Sequence, residues 1–188
     1  MEDSTLEEFE LSPFQACAEI NFIRGSLLRS ADRYHCRYAI CGDLSHISWP
    51  RRTRQAGREA QLWQQTCFEL FLARDTDETY LELNFSPSGN WNAYRFTGYR
   101  HGMKEAGGID SVEITSKLEH HNRRRLDVKF NCHHNSFNTS PLSVGISAVI
   151  ENSAGRLCYF ALCHPGDKAD FHNRDSFKLK LIDPDTTP

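Results

Sequence analysis

The chain has 188 residues, with 22 basic side chains against 25 acidic ones and a formal net charge of −3. That length fits a single domain over residues 1–188 with a sizeable core. The near balance of charge excludes a molecule-wide electrostatic trap for nucleic acid or membrane, and no run approaches the ~20 apolar residues needed to cross a bilayer.

The N-terminus, "MEDSTLEEFELSPF", is acidic and has no basic segment leading into an apolar run. This argues against a secretory signal and for a cytoplasmic location. The first dozen residues are expected to form an extended or disordered arm. Seven cysteines without a signal peptide favour reduced thiols over disulfides. Cys36 and Cys41, like Cys158 and Cys163, stand five apart, which is not the spacing of a zinc ribbon or redox pair. Small buried side chains are the simpler reading.

"PRRTRQAGR" (Pro50 to Arg58) is a basic loop, either solvated or an anion site. The best helical candidate, Gln55 to Gln65, is short and broken by Gly57. From there strand patterns dominate. "CFELFLA" (Cys67 to Ala73) and "LCYFALC" (Leu157 to Cys163) are apolar on nearly both faces, as central strands are. "SVEITSKLE" and "SFKLKLI" alternate. "RLDVKFNC" sets Leu126, Val128 and Phe130 against Asp127, Lys129 and Asn131, as in a sheet wet on one face. "HHNRRRL" reads as a hairpin tip. The roughly ten segments between turn residues predict an all-β, antiparallel β-sandwich.

"YLELNFSPSGNWNAYRF" reads as a hairpin closed by the four-residue loop Pro87-Ser88-Gly89-Asn90. In that register Glu82 faces Arg95, Asn84 faces Ala93 and Ser86 faces Trp91. Leu83 then faces Tyr94, and Leu81 faces Phe96. Glu82, Asn84, Trp91 and Arg95 share one face, which offers donors, acceptors and a stacking surface for a polyhydroxylated or planar ligand. A cross-strand ion pair beside an amphipathic tryptophan is the alternative.

The block "CHPGDKADFHNRD" brings His164, Asp167, Asp170, His172 and Asp175 into one loop. Two histidines and a carboxylate suit zinc or another divalent ion, or acid/base chemistry. The spacing matches no compact metal motif, and Pro165 and Gly166 suit a turn whose polar side chains bond to backbone.

Three separated blocks, "LWQQTCFELFLA", "YLELNFSPSGNWNAYRFTGYRHGM" and "YFALCHPGDKADFHNRDSFKLKL", together resemble the bacterial DOMON-like family related to the family 9 carbohydrate-binding modules, over Leu62 to Leu181. The resemblance implies a jelly-roll β-sandwich with a ligand site on the concave sheet or its rim, and sugar or haem as ligand. It implies an aromatic pair, Trp63 and Trp91, with Glu69, Asn84 and Arg95 as polar partners. Trp63 has an alternative role in anchoring the incoming loop. The histidine block is expected to close over the rim, which adds His164 and His172 to the binding set. For haem, the resemblance points to Met103, beside His101, with a distant His or Lys.

The leading expectation is a non-catalytic module for a sugar or similar polar metabolite, without a cofactor. The alternatives are an enzyme built on His164, Asp170 and His172, with or without a divalent metal, a haem-binding redox domain, and an interaction domain with a flat apolar face.

Overall fold

The structure is a computed structural model and describes residues 4–134, 137 and 141–181. Residues 1–3 of the acidic N-terminal stretch, and Ile182 at the end of "SFKLKLI", lie outside the described residues. Among the described residues the strands are β1 (Ser4–Pro13), β2 (Ile20–Ser30), β3 (Arg33–Gly42), β4 (Cys67–Ala73), β5 (Tyr80–Phe85), β6 (Trp91–Phe96), β7 (Lys104–Glu105), β8 (Ile109–His120), β9 (Arg123–Cys132), β10 (Leu142–Glu151), β11 (Leu157–Ala161) and β12 (Leu179–Leu181).

All pairings between these strands are antiparallel, and their order is β7-β6-β5-β4-β10-β11-β1-β2-β3-β9-β8, with β12 beside β10. β1 is the hinge of this path. Its residues Ser4–Leu11 pair with β2, whereas Ser12 and Pro13 pair with β11. The acidic N-terminal stretch is therefore, from Ser4 onward, an extended strand shared by both halves of the fold. Burying the apolar face of each half requires the halves to pack face to face as an all-β sandwich.

The core between them follows from two-residue periodicity. Tyr34, Cys36, Tyr38 and Ile40 of β3, with Leu126, Val128 and Phe130 of β9, meet Phe68, Leu70 and Leu72 of β4 and Leu81, Leu83 and Phe85 of β5. The Tyr38 and Phe68 rings lie 4.8 Å apart across the layers, and those of Phe85 and Phe130 5.8 Å apart. The Tyr38 hydroxyl donates to the Glu69 carbonyl at 3.4 Å.

β4, β5 and nearly all of β10 are buried on both faces. Their second face carries a smaller apolar cluster of Phe71, Ala73, Tyr80, Tyr94, Phe96 and Phe177, flanked by Trp63 and Phe171. It is covered by the chain between β11 and β12 and by the segment before β4. That earlier segment is not the helix expected over Gln55 to Gln65. Arg58 bridges alongside Trp91, and only Leu62–Gln64 makes a 3-10 turn.

The β5–β6 hairpin departs from the expected register by one residue. Its loop has five residues, Ser86 to Asn90. It is closed by the Ser86 N–H on the Asn90 carbonyl at 2.9 Å, the Gly89 N–H on the Ser86 carbonyl at 3.0 Å, and the Ser88 hydroxyl on the Ser86 hydroxyl at 2.8 Å. Gly89 takes φ 100, in the region that favours glycine. Phe85 therefore faces Trp91, Leu83 faces Ala93, Glu82 faces Tyr94 and Leu81 faces Arg95. A one-residue slip exchanges the faces of one strand relative to the other, so Trp91 and Arg95 lie on the side of the sheet opposite Glu82 and Asn84.

Gly145 of β10 faces this second cluster because a larger residue would collide there: a Cβ would stand 2.5 Å from Phe177 Cδ1 and 2.7 Å from Cε1. Gly145→Ala is expected to destabilise the fold by about 1–3 kcal/mol through overpacking. Urea denaturation reads this as a lowered midpoint at unchanged slope, and an unchanged midpoint contradicts it.

Candidate functional site

The second face of β4, β5, β10 and β11 is the floor of a cavity of about 420 Å³. Glu69, Glu82, Val149, Leu157 and Tyr159 come from adjacent strands at alternate positions, so they stand side by side. The walls are Trp63 from the 3-10 turn, Arg100 and Met103 from the loop after β6, and Phe171 and His172 from the segment between β11 and β12. Trp63 meets Tyr94 edge to face at 5.8 Å, and Phe171 meets Tyr159 likewise at 6.0 Å. Tyr94 is buried, while the half-buried Trp63, Tyr159 and Phe171 rings leave aromatic surface for a ligand.

Glu69 and Glu82 are only 3% and 5% exposed. Burial is the main force on both, because a charged carboxylate is costly away from water. It lifts Glu69 to about 8, with a further push from the neighbouring Glu82, and lifts Glu82 to about 7. Bonds that favour the charged forms oppose this. The Ser147 hydroxyl donates to Glu69 Oε2 at 3.0 Å, the Asn84 amide donates to Glu82 Oε1 at 2.6 Å, and the Arg100 charge acts on both carboxyls.

His172 completes the set. Burial, then the Arg100 charge, lowers its imidazole to about 4, so it is neutral near pH 7. The Tyr80 hydroxyl accepts the Arg100 backbone N–H at 3.1 Å and lies 2.8 Å from His172 Nδ1. A neutral ring that accepts from Tyr80 at Nδ1 carries its proton on Nε2, which faces Glu82 Oε2 at 3.6 Å. Asp170 fixes the cover from outside. Its carboxylate takes Arg100 Nη2 at 2.7 Å, the Tyr99 hydroxyl at 2.6 Å and the His172 backbone N–H at 3.2 Å. Arg100 itself sits at φ 51, a left-handed conformation uncommon outside glycine.

Of the residues the sequence nominated, Trp63, Glu69, Glu82 and His172 line this cavity. Asn84 does not line it but orients Glu82. Trp91 and Arg95 do not belong to it, for the register reason given above. Trp91 packs against the main core with the Arg58 guanidinium 4.4 Å above its ring, and Arg95 is exposed. Arg58, expected as part of a solvated or anion-binding loop, turns inward to bond Asn92 Oδ1 at 2.8 Å and the Ala106 carbonyl at 2.7 Å.

His164 bonds the Ser12 carbonyl at 2.9 Å and meets the Phe14 ring edge to face, outside the cavity. The set His164, Asp170 and His172 therefore does not converge on one cleft, because each is committed to a different neighbour. Met103 lies on the cavity rim, 47% exposed. His172 shares that cavity, but its two nitrogens face Tyr80 and Glu82, so this pair does not fit a haem iron without breaking that network. Sequence reasoning missed Tyr159, Phe171 and Arg100. Phe171 adjoins His172, which it did select, but neither Phe171 nor Arg100 has a local signal of its own.

No family model matches the chain, and no curated protein matches its sequence. Solved structures do match its fold. A candidate carbohydrate-binding protein from Bacteroides uniformis superposes with a TM-score of 0.62 at 11% identity, covering 91% of this chain and 84% of that one. A family 9 carbohydrate-binding module from Caldicellulosiruptor kristjanssonii in complex with cellotriose gives 0.52 at 13% identity, covering 84% and 72%. The same kind of module from that organism in complex with glucose gives 0.50 at 12%, covering 89% and 78%. At these identities the likeness is one of fold.

The buried carboxyls fix a pH dependence. Folded Glu69 and Glu82 hold protons that unfolded carboxyls release near 4.5, so stability falls as pH rises from there through about 8. His172 acts oppositely, because it is protonated only when unfolded between about 4 and 6.5, and so it adds stability as pH rises to 6.5. Above pH 6.5 the contribution of His172, and that of His134, which burial also lowers, is largely complete, while the carboxyl contribution runs on to about 8. Unfolding free energy is expected to fall across that window, and the Glu69→Gln/Glu82→Gln double variant is expected to lose the slope. A wild-type slope that is flat, rising or unchanged in the variant contradicts this.

Proposed function

We propose that this chain is a ligand-binding module that takes a carbohydrate, or a similarly hydroxylated small metabolite, in the cavity over Glu69 and Glu82. The observation that carries the reading is the meeting of two buried carboxyl groups, which burial holds toward their protonated forms, with partly exposed aromatic rings around one cavity. A carboxyl that keeps its proton both donates and accepts, which matches the hydroxyl groups of a sugar. The Trp63, Tyr159 and Phe171 rings offer surface to the apolar C–H faces of a pyranose. The structural neighbours bound to cellotriose and glucose support the same ligand class.

The cavity volume suits one or two sugar rings rather than a long chain lying flat. Arg100, paired with Asp170, supplies further donors at the rim without placing an uncompensated charge there. The pairing of Glu69 and Glu82 with an uncharged His172 favours one second reading, acid/base catalysis on the same ligand class. Turnover of aryl glycosides that disappears in both Glu69→Gln and Glu82→Gln identifies that case, and no turnover rejects it.

Calorimetric titration against mono- and oligosaccharides, glucose and cellotriose included, tests the binding reading. Trp63→Ala is expected to weaken any sugar that binds by roughly tenfold or more, about 1.4 kcal/mol. Trp91→Ala is expected to lower stability by roughly 2–4 kcal/mol through lost packing while leaving affinity unchanged in the folded protein. Loss of binding in Trp91→Ala with retention in Trp63→Ala overturns the assignment.

A further inference from the structure

We propose that Cys17, Glu19 and Cys158 form a binding site for a zinc-class divalent ion, separate from the cavity and independent of the reading given to it. Cys17 and Glu19 lie in the turn between β1 and β2, and Cys158 lies on β11. The two thiol sulfurs and a Glu19 carboxylate oxygen all fall within 4.8 Å of one another. Cys17 Sγ stands 3.5 Å from Glu19 Oε2. Around a tetrahedral zinc with bonds of about 2.3 Å to sulfur and about 2.0 Å to oxygen, a sulfur and an oxygen ligand are about 3.5 Å apart. The Cys17–Glu19 pair already stands at that spacing, and the Cys158 sulfur lies within 4.8 Å of both.

The surroundings are built as a metal's outer shell is built. Asn152 Oδ1 accepts the backbone N–H groups of Ala154 at 3.1 Å and Arg156 at 2.9 Å, which turns its amide nitrogen toward Glu19 Oε1 at 2.8 Å. The Arg156 guanidinium reaches Glu19 Oε2 at 3.2 Å. The carboxylate is thus aimed from two sides before any ion arrives. The charges also close: two thiolates and one carboxylate around a divalent ion leave one negative charge, which Arg156 balances. Both thiols are buried, while the Glu19 side chain keeps 17% exposure, so an ion reaches the site from the Glu19 side.

Binding releases the two thiol protons to solvent and forms two metal–sulfur bonds and one metal–oxygen bond, with water in the fourth position. Thiolate donors select zinc, cobalt(II) or cadmium over calcium or magnesium. The ion would tie the β1–β2 turn to β11 close to the point where β1 passes from one half of the sandwich to the other.

The test is titration of the reduced, metal-free full chain with cobalt(II), followed by zinc displacement and X-ray absorption of the zinc-loaded wild type. One equivalent is expected to bind with intense thiolate-to-cobalt charge transfer and tetrahedral visible bands. The zinc shell is expected to contain two sulfurs at about 2.3 Å. Cys158→Ser is expected to abolish the charge transfer, and Cys41→Ser to leave it intact. A zinc shell of only oxygen and nitrogen, or charge transfer that survives in Cys17→Ser/Cys158→Ser, overturns the proposal. The absorption measurement uses the wild type and so does not depend on either variant folding.

Discussion

The organising constraint is the burial of two carboxyl groups on neighbouring strands of a sheet covered on both faces. Glu69 and Glu82 cannot both carry a charge there without a large desolvation cost, and the groups around them are those that such a cost requires. Ser147 and Asn84 supply hydrogen bonds, Arg100 supplies a positive field, and His172 stays neutral. Each of these comes from a different element. The carboxyls therefore bind β4, β5, β10, the loop after β6 and the segment between β11 and β12 into one polar unit, with Tyr80 and Asp170 as its outer links. A network of this kind is stable only when each member is satisfied.

That unit sits on a sheet whose other face is an ordinary apolar core, and the division of labour between the faces explains the packing. Phe68, Leu70, Leu81 and Leu83 drive the two halves together. On the second face Phe71, Tyr80 and Phe96 gather around His172 and Phe177, which pins the segment from β11 to β12 over the floor. The apolar part of this cluster holds the cover in place, and the polar part faces the cavity. Trp91 lies on the opposite side, where the Arg58 guanidinium stacks on its ring, and three Arg58 hydrogen bonds to Asn92, Ala93 and Ala106 fasten the incoming chain to β6 and to the residue after β7.

The antiparallel all-β architecture was legible because its outer strands alternate cleanly. Leu126, Val128 and Phe130 are buried while Lys129 is exposed and Asp127 and Asn131 keep partial exposure, as the pattern of β9 required. Glu82 was legible because a carboxyl stands out in the apolar β5 run, His172 because it lies in a block dense in His and Asp, and Trp63 and Glu69 only through the resemblance to the family 9 modules. The hairpin register was not legible, for a physical reason. Register is strongly specified where only one face is buried, but β5 is buried on both faces, so either pairing of β5 with β6 buries apolar surface. The decision fell to the Ser86–Asn90 loop, whose serine hydroxyl bonds lengthen it by one residue. Tyr159 and Phe171 reach the cavity only through the pairing of β10 with β11 and the return of the following segment, and no local pattern encodes those long-range contacts.

The proposed function puts the ligand on the Glu69 and Glu82 face rather than on the Trp91 and Arg95 face. An NMR titration with a binding mono- or oligosaccharide, following the three tryptophan indole N–H signals and the histidine ring signals, separates the two directly. Binding in the cavity moves the Trp63 indole and His172 ring signals with saturation while those of Trp49 and Trp91 stay in place. Movement of Trp91 with a silent Trp63 would contradict it.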